Sequence, residues 1–295
     1  MKKTCLGIVV AFAFPALLAA QEPKFVRLKE EKGKVAALEV AITHYTNKSK
    51  TVTVDLVGVV HVGDRGYYQQ LNKRFPKYEV VLYELVAAPG TKVPAGGKAS
   101  GGPAFLTSLM TSVLDLDSQL ACVDYHQKNF VHADLSFEAM MAAARKRGES
   151  GWTLGLSVLS EMMRQQSATG QNKDDTPGED VDILTGLFKP NLLKRQMARQ
   201  LAGSADLGPT LQALLVGDRN KKTCEVLTEQ IEDGKQNIAI FYGAAHMPDF
   251  DRRLRMEFGL RRVSQDWLTA WDMRDGQTDA GKRLKSLFEK AFEGP

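Results

Sequence analysis

Two stretches of the chain run through apolar, largely β-branched residues and then stop at a histidine placed three residues after a glycine. This repeated arrangement limits the fold more than any other feature. Residues 54–60 end at Gly58-Val59-Val60-His61, and residues 238–242 lead into Gly243-Ala244-Ala245-His246. Apolar runs that do not alternate with polar residues fit strands covered on both faces, as in a mostly parallel sheet flanked by helices. Beyond His61, Asp64 is placed to cap a helix over 65–75 that carries Tyr67, Leu71 and Phe75 at helical spacing. After Pro76 a third apolar run, residues 80–83, ends at Glu84. Read as a strand, helix, strand unit with the two strands as parallel neighbours, it puts His61 and Glu84 at carboxyl ends. Open α/β sheets place their ligand sites there.

The 295 residues, 43% hydrophobic and 25% charged, suffice for a sizeable core and read as one domain over 21–295. Residues 1–20 have the order of a signal peptide: Lys2 and Lys3, an apolar run over 6–18, then Ala19 and Ala20. The apolar run is short for a membrane span, so the expected product is a soluble exported chain, periplasmic or secreted, with no transmembrane helix. Removing Lys2 and Lys3 takes away no acid and leaves 37 basic against 35 acidic residues. No field strong enough for nucleic acid follows. Cys122 and Cys224 are either one disulfide or two buried thiols, and the lack of a C-x-x-C spacing argues against a thiolate zinc site.

Residues 25–28 and 35–45 read as strands joined by a turn at 30–34; the second alternates near its end as an antiparallel edge strand would, which leaves His44 in solvent. From Pro89 to Pro103 the chain is Gly- and Pro-rich, as a mobile loop beside the site would be. Helical patterns follow over 105–114, 152–163, 187–201 and 207–216. Another starts at Phe137 behind Ser136, with Met140, Met141 and Ala144 inward. A polar crossing is expected over 169–182. Residues 89–216 thus read as a large helical insertion, in which His126 and His132 are secondary ligand candidates. Gly217-Asp218-Arg219-Asn220 opens a further helix that Gly234 stops, and another runs through Phe250, Leu254 and Phe258. A last strand is expected at 259–263 and a surface helix at 282–292.

His61, Glu84 and His246 on one rim supply two imidazoles and a carboxylate, a set that suits a divalent metal ion. Gly58-Val59-Val60-His61, Glu84, Asp218-Arg219-Asn220 and Gly243-Ala244-Ala245-His246 occur in the order seen in the TraB/PrgY/GumN family, which includes the TIKI metalloproteases, and over residues 52–265 the chain resembles that family. Val59 stands where members often carry threonine. The resemblance implies a three-layer α/β domain with a helical insertion, like the ChaN and erythromycin-esterase group, and divalent-metal-dependent hydrolysis. It implies His61, Glu84 and His246 as the metal or catalytic centre, with Mn, Co or Zn as the ion, and Arg219 as the polarising cation. Read from the residues alone, Arg219 is equally a helix-start partner of Asp218 or Glu225. The expected function is an exported hydrolase acting on a peptide or small molecule, with Glu84 as ligand or general base. The competing readings are a metal-, haem- or peptide-binding protein without turnover, for which Tyr83 or Tyr242 is an axial-ligand candidate, and an adaptor.

Overall fold

A computed structural model describes residues 23–93, 111, 114–150, 153, 156, 160, 190–203 and 208–274. The expected signal peptide, the crossing over 169–182, the helix over 282–292 and most of the loop beyond residue 93 and of the helices over 105–114 and 152–163 lie outside these residues.

The chain opens with a hairpin, β1 (Val26–Glu31) and β2 (Lys34–Thr46). Its two-residue turn places Lys32 and Gly33 at φ 51° and 74°, a left-handed pair whose twist matches that of the flanking strands. There follow β3 (Thr53–Val59), the short β4 (Val62–Gly63), α1 (Arg65–Arg74) and β5 (Val80–Tyr83). Next come the short β6 (Asp117–Ser118), α2 (Gln119–Cys122), β7 (Phe130–His132) and α3 (Phe137–Lys146). After α4 (Pro190–Ala202) and α5 (Gly208–Gln212), a π-helical turn (Ala213–Gly217) leads into α6 (Asp218–Glu232), β8 (Asn237–Gly243), α7 (Met247–Met256) and β9 (Arg261–Asp272).

Among the described residues seven strands form the main sheet, in the order β1-β2-β3-β8-β5-β7, with β9 on the far side of β2. Strands β3, β8, β5 and β7 pair in parallel, and β1, β3 and β9 each pair antiparallel with β2. Only β2 therefore runs against the other six. Alternate residues of the central strands serve two cores. Val57, Val59, Val81, Tyr83, Ala239 and Phe241 pack with Tyr67, Tyr68 and Leu71 of α1 on one face. Val54, Leu56, Leu82, Ile238, Ile240 and Tyr242 pack with Leu227 of α6 and Phe250 and Leu254 of α7 on the other. The result is a mixed, mostly parallel sheet with helices on both faces. Among the described residues no helix is long and apolar enough to cross a membrane.

Several expectations need correction. β2 is not an edge strand, because β1 and β3 pair along one side of it and β9 along the other. His44 accordingly lies half-buried, with Nδ1 2.8 Å from Asp55 Oδ1 and Nε2 3.6 Å from Asp266 Oδ2. The last strand extends far past residue 263, since Trp267, Leu268 and Trp271 continue it along β2. β3 and β5 run parallel but are not neighbours: β8 lies between them and pairs with both. Asp64 stands at the N-cap position of α1 without making a cap bond, because its Oδ2 accepts from Asp272 N instead, at 2.6 Å. The described part of the 89–216 span is not purely helical, as β7 joins the sheet beside β5. Both thiols are free: half-buried Cys122 packs on the α1 side, and buried Cys224 in the core under α6 and α7.

Candidate functional site

The carboxyl ends of four parallel strands converge. β3 delivers His61, β5 delivers Glu84, β7 delivers Asp134 and β8 delivers Gly243 and His246; α6 brings Arg219 and Asn220 across them. Gly243 marks the centre, because a Cβ there would stand 3.2 Å from Glu84 Oε2, 3.5 Å from His61 Nε2 and 3.7 Å from His246 Cδ2. The bare backbone lets these three groups face one space.

The loop after β3 is held almost atom by atom. Tyr67 and Tyr68 of α1 donate their hydroxyls to Gly58 O (3.0 Å) and Val60 O (2.8 Å), Gln119 N donates to His61 O (2.8 Å) and Trp271 Nε1 to Val62 O (2.7 Å). Four buried or backbone donors closing on these carbonyls leave the loop little freedom. His61 itself is exposed, and its Nδ1 lies 2.9 Å from Gln119 Oε1, which places Nε2 towards Gly243.

His246 is buried, with 5% of its surface exposed, and both its nitrogens are engaged. Asn220 Nδ2 donates to His246 O (3.1 Å) and Asp249 Oδ2 (3.0 Å), both acceptors only, so its Oδ1 must be the atom facing His246 Nδ1 at 2.6 Å. Nδ1 therefore carries the proton and Nε2 the lone pair. Burial pushes the His246 pKa down to about 4, with Arg219 and His61 adding to the shift against the pull of Glu84 and Asp134. The ring is neutral near pH 7.

Arg219 is the hub. Its Nε and Nη2 clasp Asp134 Oδ1 (2.9 Å) and Oδ2 (2.6 Å), and Nη2 also reaches Glu84 Oε1 at 2.6 Å. Nη1 meets Leu215 O at 3.2 Å and His246 Nε2 at 3.3 Å. A guanidinium has five N–H bonds, and all five are taken. Glu84 Oε2 accepts from Gly243 N at 2.6 Å. Burial alone would raise the Glu84 carboxyl, but His246, Arg219, His61 and the Gly243 N–H outweigh it and hold the pKa at about 2. Two carboxylates here share one guanidinium.

The four residues singled out from the sequence, His61, Glu84, Arg219 and His246, thus come together. The alternative partners considered for Arg219 are not used; Asp218 pairs with Arg147 instead. His126 lies exposed near Asp124, and His132 ends β7 with Nε2 on Leu85 O at 2.7 Å, outside the cluster. Tyr83 and Tyr242 are buried in the two cores, where Tyr242 donates to Ala133 O at 2.8 Å. Sequence reasoning passed over Asp134 and Gln119. Asp134 had a signal available: an apolar pair, Phe130-Val131, leading within three residues to an acid, much as 80–83 leads to Glu84. Gln119 had none.

The donor chemistry of His61, Glu84 and His246 suits a divalent ion, and a ring anchored through Nδ1 is the usual state of a ligating histidine. The placement does not fit one shared ion. The cation beside His246 Nε2 and Glu84 Oε1 is the Arg219 guanidinium, and a metal within about 2 Å of Nε2 would have to displace it. Among the described residues no three of His, Cys, Asp and Glu are grouped to hold an ion. Comparison of the chain with protein-family models, with curated proteins and with solved structures found no match.

Proposed function

We propose that this chain is a hydrolase whose working groups are His61 and Glu84, acting over Gly243 on a peptide or small-molecule carbonyl. The observation that carries this reading is the difference between the two histidines. Both are anchored through Nδ1, but His246 Nε2 faces Arg219 inside the protein, whereas His61 is exposed and its Nε2 opens on the space at Gly243. A basic nitrogen beside a fixed carboxylate, at the mouth of a sheet, is placed to take a proton from an attacking water. His61 Nε2 receives that proton as the water oxygen bonds to the carbonyl carbon, and returns it to the leaving amine or alkoxide as the carbon–heteroatom bond breaks. Glu84, ionised across the working pH range, orients the water and offsets the charge that builds on His61. Arg219, with no N–H to spare, acts through its charge by keeping Glu84 ionised and His246 neutral. The resemblance to the TraB/PrgY/GumN family and export of the chain belong to the same proposal.

A metal-dependent form of this chemistry, which would need Arg219 to leave His246 Nε2, is the second reading; the anchoring of both imidazoles through amide oxygens supports it. Purified protein should be assayed against peptide libraries and simple esters and amides, with and without chelator, alongside metal analysis. Turnover that persists in chelator and vanishes in His61→Ala supports the first reading. Turnover lost with chelator and restored by Mn, Co or Zn supports the second. Stoichiometric binding of metal, haem or peptide with no turnover would overturn both in favour of a binding protein.

A further inference from the structure

The hydrolase reading leaves open what decides which nitrogen of His61 is free. We propose that Gln119 is a positioning residue that holds His61 as the Nδ1–H tautomer and so leaves Nε2 bare at the site. This rests on the hydrolase reading for its purpose and on geometry for its substance.

Gln119 grips residue 61 at two points, 58 residues away in sequence. Its backbone N donates to His61 O at 2.8 Å and its Oε1 lies 2.9 Å from Nδ1. The next two residue pairs continue the grip, with Val62 opposite Ser118 and Gly63 opposite Asp117 in the β4–β6 pair. Gln119 is 5% exposed, so its amide has few alternative partners. On the other side its Nε2 donates to Tyr125 OH at 2.8 Å. Tyr125 is itself wedged against the rings of Tyr83 and Phe130, at centroid distances of 5.4 and 5.9 Å. The amide therefore bridges a packed phenol and the exposed imidazole. A side-chain oxygen facing Nδ1 demands a proton there. Turning the amide over would present an N–H to Nδ1 and move the ring proton to Nε2, closing the one open basic nitrogen in the cluster.

The test is long-range 1H–15N correlation NMR on the full chain labelled at histidine nitrogens, at alkaline pH, with the His61 signals assigned by their loss in His61→Ala. The expected result is a protonated Nδ1 and a bare Nε2 for His61. In Gln119→Leu, similar in bulk but without the acceptor, the proton should move to Nε2. In Gln119→Glu, whose carboxylate only accepts, Nδ1–H should persist. Tyr125→Phe, which removes the hydroxyl that Nε2 meets, should give a mixture of the two tautomers. A native Nε2–H tautomer, or a Gln119→Leu spectrum unchanged from native, overturns the proposal. Where a hydrolysed substrate has been found, Gln119→Leu should lower kcat by about a hundredfold, a general-base contribution, with KM little changed. Native Nδ1–H with no hydrolysis of any substrate would sink the hydrolase reading while leaving the tautomer assignment standing.

Discussion

Arg219 and Asp134 meet in a two-pronged ion pair, Nε to Oδ1 at 2.9 Å and Nη2 to Oδ2 at 2.6 Å, with the Asp134 side chain fully buried. Asp134 in turn is held by its neighbours. Ala133 O accepts from Thr223 Oγ1 at 2.9 Å and from Tyr242 OH at 2.8 Å, which pins the turn after β7 against α6 and β8. The pair supports Glu84 from behind, since the same Nη2 that holds Asp134 holds Glu84.

Asp134→Ala should therefore be among the most damaging single changes in the chain. It leaves a buried guanidinium with half its charge balance, and breaking one side of a buried pair costs about 3–5 kcal/mol. Denaturant unfolding of the variant measures this. A loss comparable to that of a surface substitution would mean that the pair contributes nothing.

The two histidines should separate cleanly. His61→Ala removes an exposed ring but leaves Gln119 Oε1 without that partner, and should cost no more than about 1 kcal/mol while abolishing turnover. His246→Ala strips partners from Asn220 Oδ1 and one Arg219 N–H in a dry environment, and should cost about 1–3 kcal/mol. Equal stability losses in the two variants would count against different roles.

Acid should destabilise the fold in two steps. The folded pKa of His246, about 4, lies below the ordinary 6.5, so its contribution is complete above 6.5 and is lost as pH falls towards 4. Glu84, held at about 2 against 4.5, loses its contribution as pH falls from 4.5 towards 2. His44 works in the other direction. The hydrogen bond to Asp55 raises its pKa above 6.5 and Asp266 adds to this, so its contribution is complete below 6.5 and is lost as pH rises through the folded value. Around it, Tyr78 OH donates to Asp55 Oδ2 at 2.7 Å and Arg74 Nη1 to Asp266 Oδ2 at 3.0 Å. Melting midpoints across pH should lose the upper acid step in His246→Gln and the neutral-to-alkaline decline in His44→Gln.

Gly243→Ala and Gly58→Ala should fail in different ways. At Gly243 the backbone is in a region open to any residue (φ −50°, ψ 138°), and the new methyl enters the space shared by Glu84, His61 and His246. Turnover or ligand binding should be lost with little change in stability. At Gly58 the methyl meets Val40 Cγ1 at 3.0 Å and Ala41 O at 3.3 Å between paired strands, and should cost about 1–3 kcal/mol by overpacking. Calorimetry and the activity assay on both variants give the comparison.

The sequence by itself determined where β3, β5 and β8 stop and where most described helices start. Apolar runs are visible because a strand buried on both faces excludes polar residues locally, and that alone placed His61, Glu84 and the Gly243 to His246 element at strand ends. Ser136 marked the start of α3 for a similarly local reason, since its hydroxyl accepts from Ala139 N at 3.2 Å within one turn. Tertiary structure decided everything that depends on which strand lies beside which. Periodicity reports that a face is covered but not what covers it, so the insertion of β8 between β3 and β5, the pairing of both sides of β2 and the addition of β7 to the sheet could not be read from it. The same limit hid the side-chain partners. Asp64 forgoes a local cap for a backbone N–H 208 residues away, Arg219 takes Asp134 and Glu84 over its chain neighbour Asp218, and Gln119 becomes the partner of His61 only because β6 folds back beside β4. Each is a contact between distant residues whose energy exists only once the sheet order has brought them together.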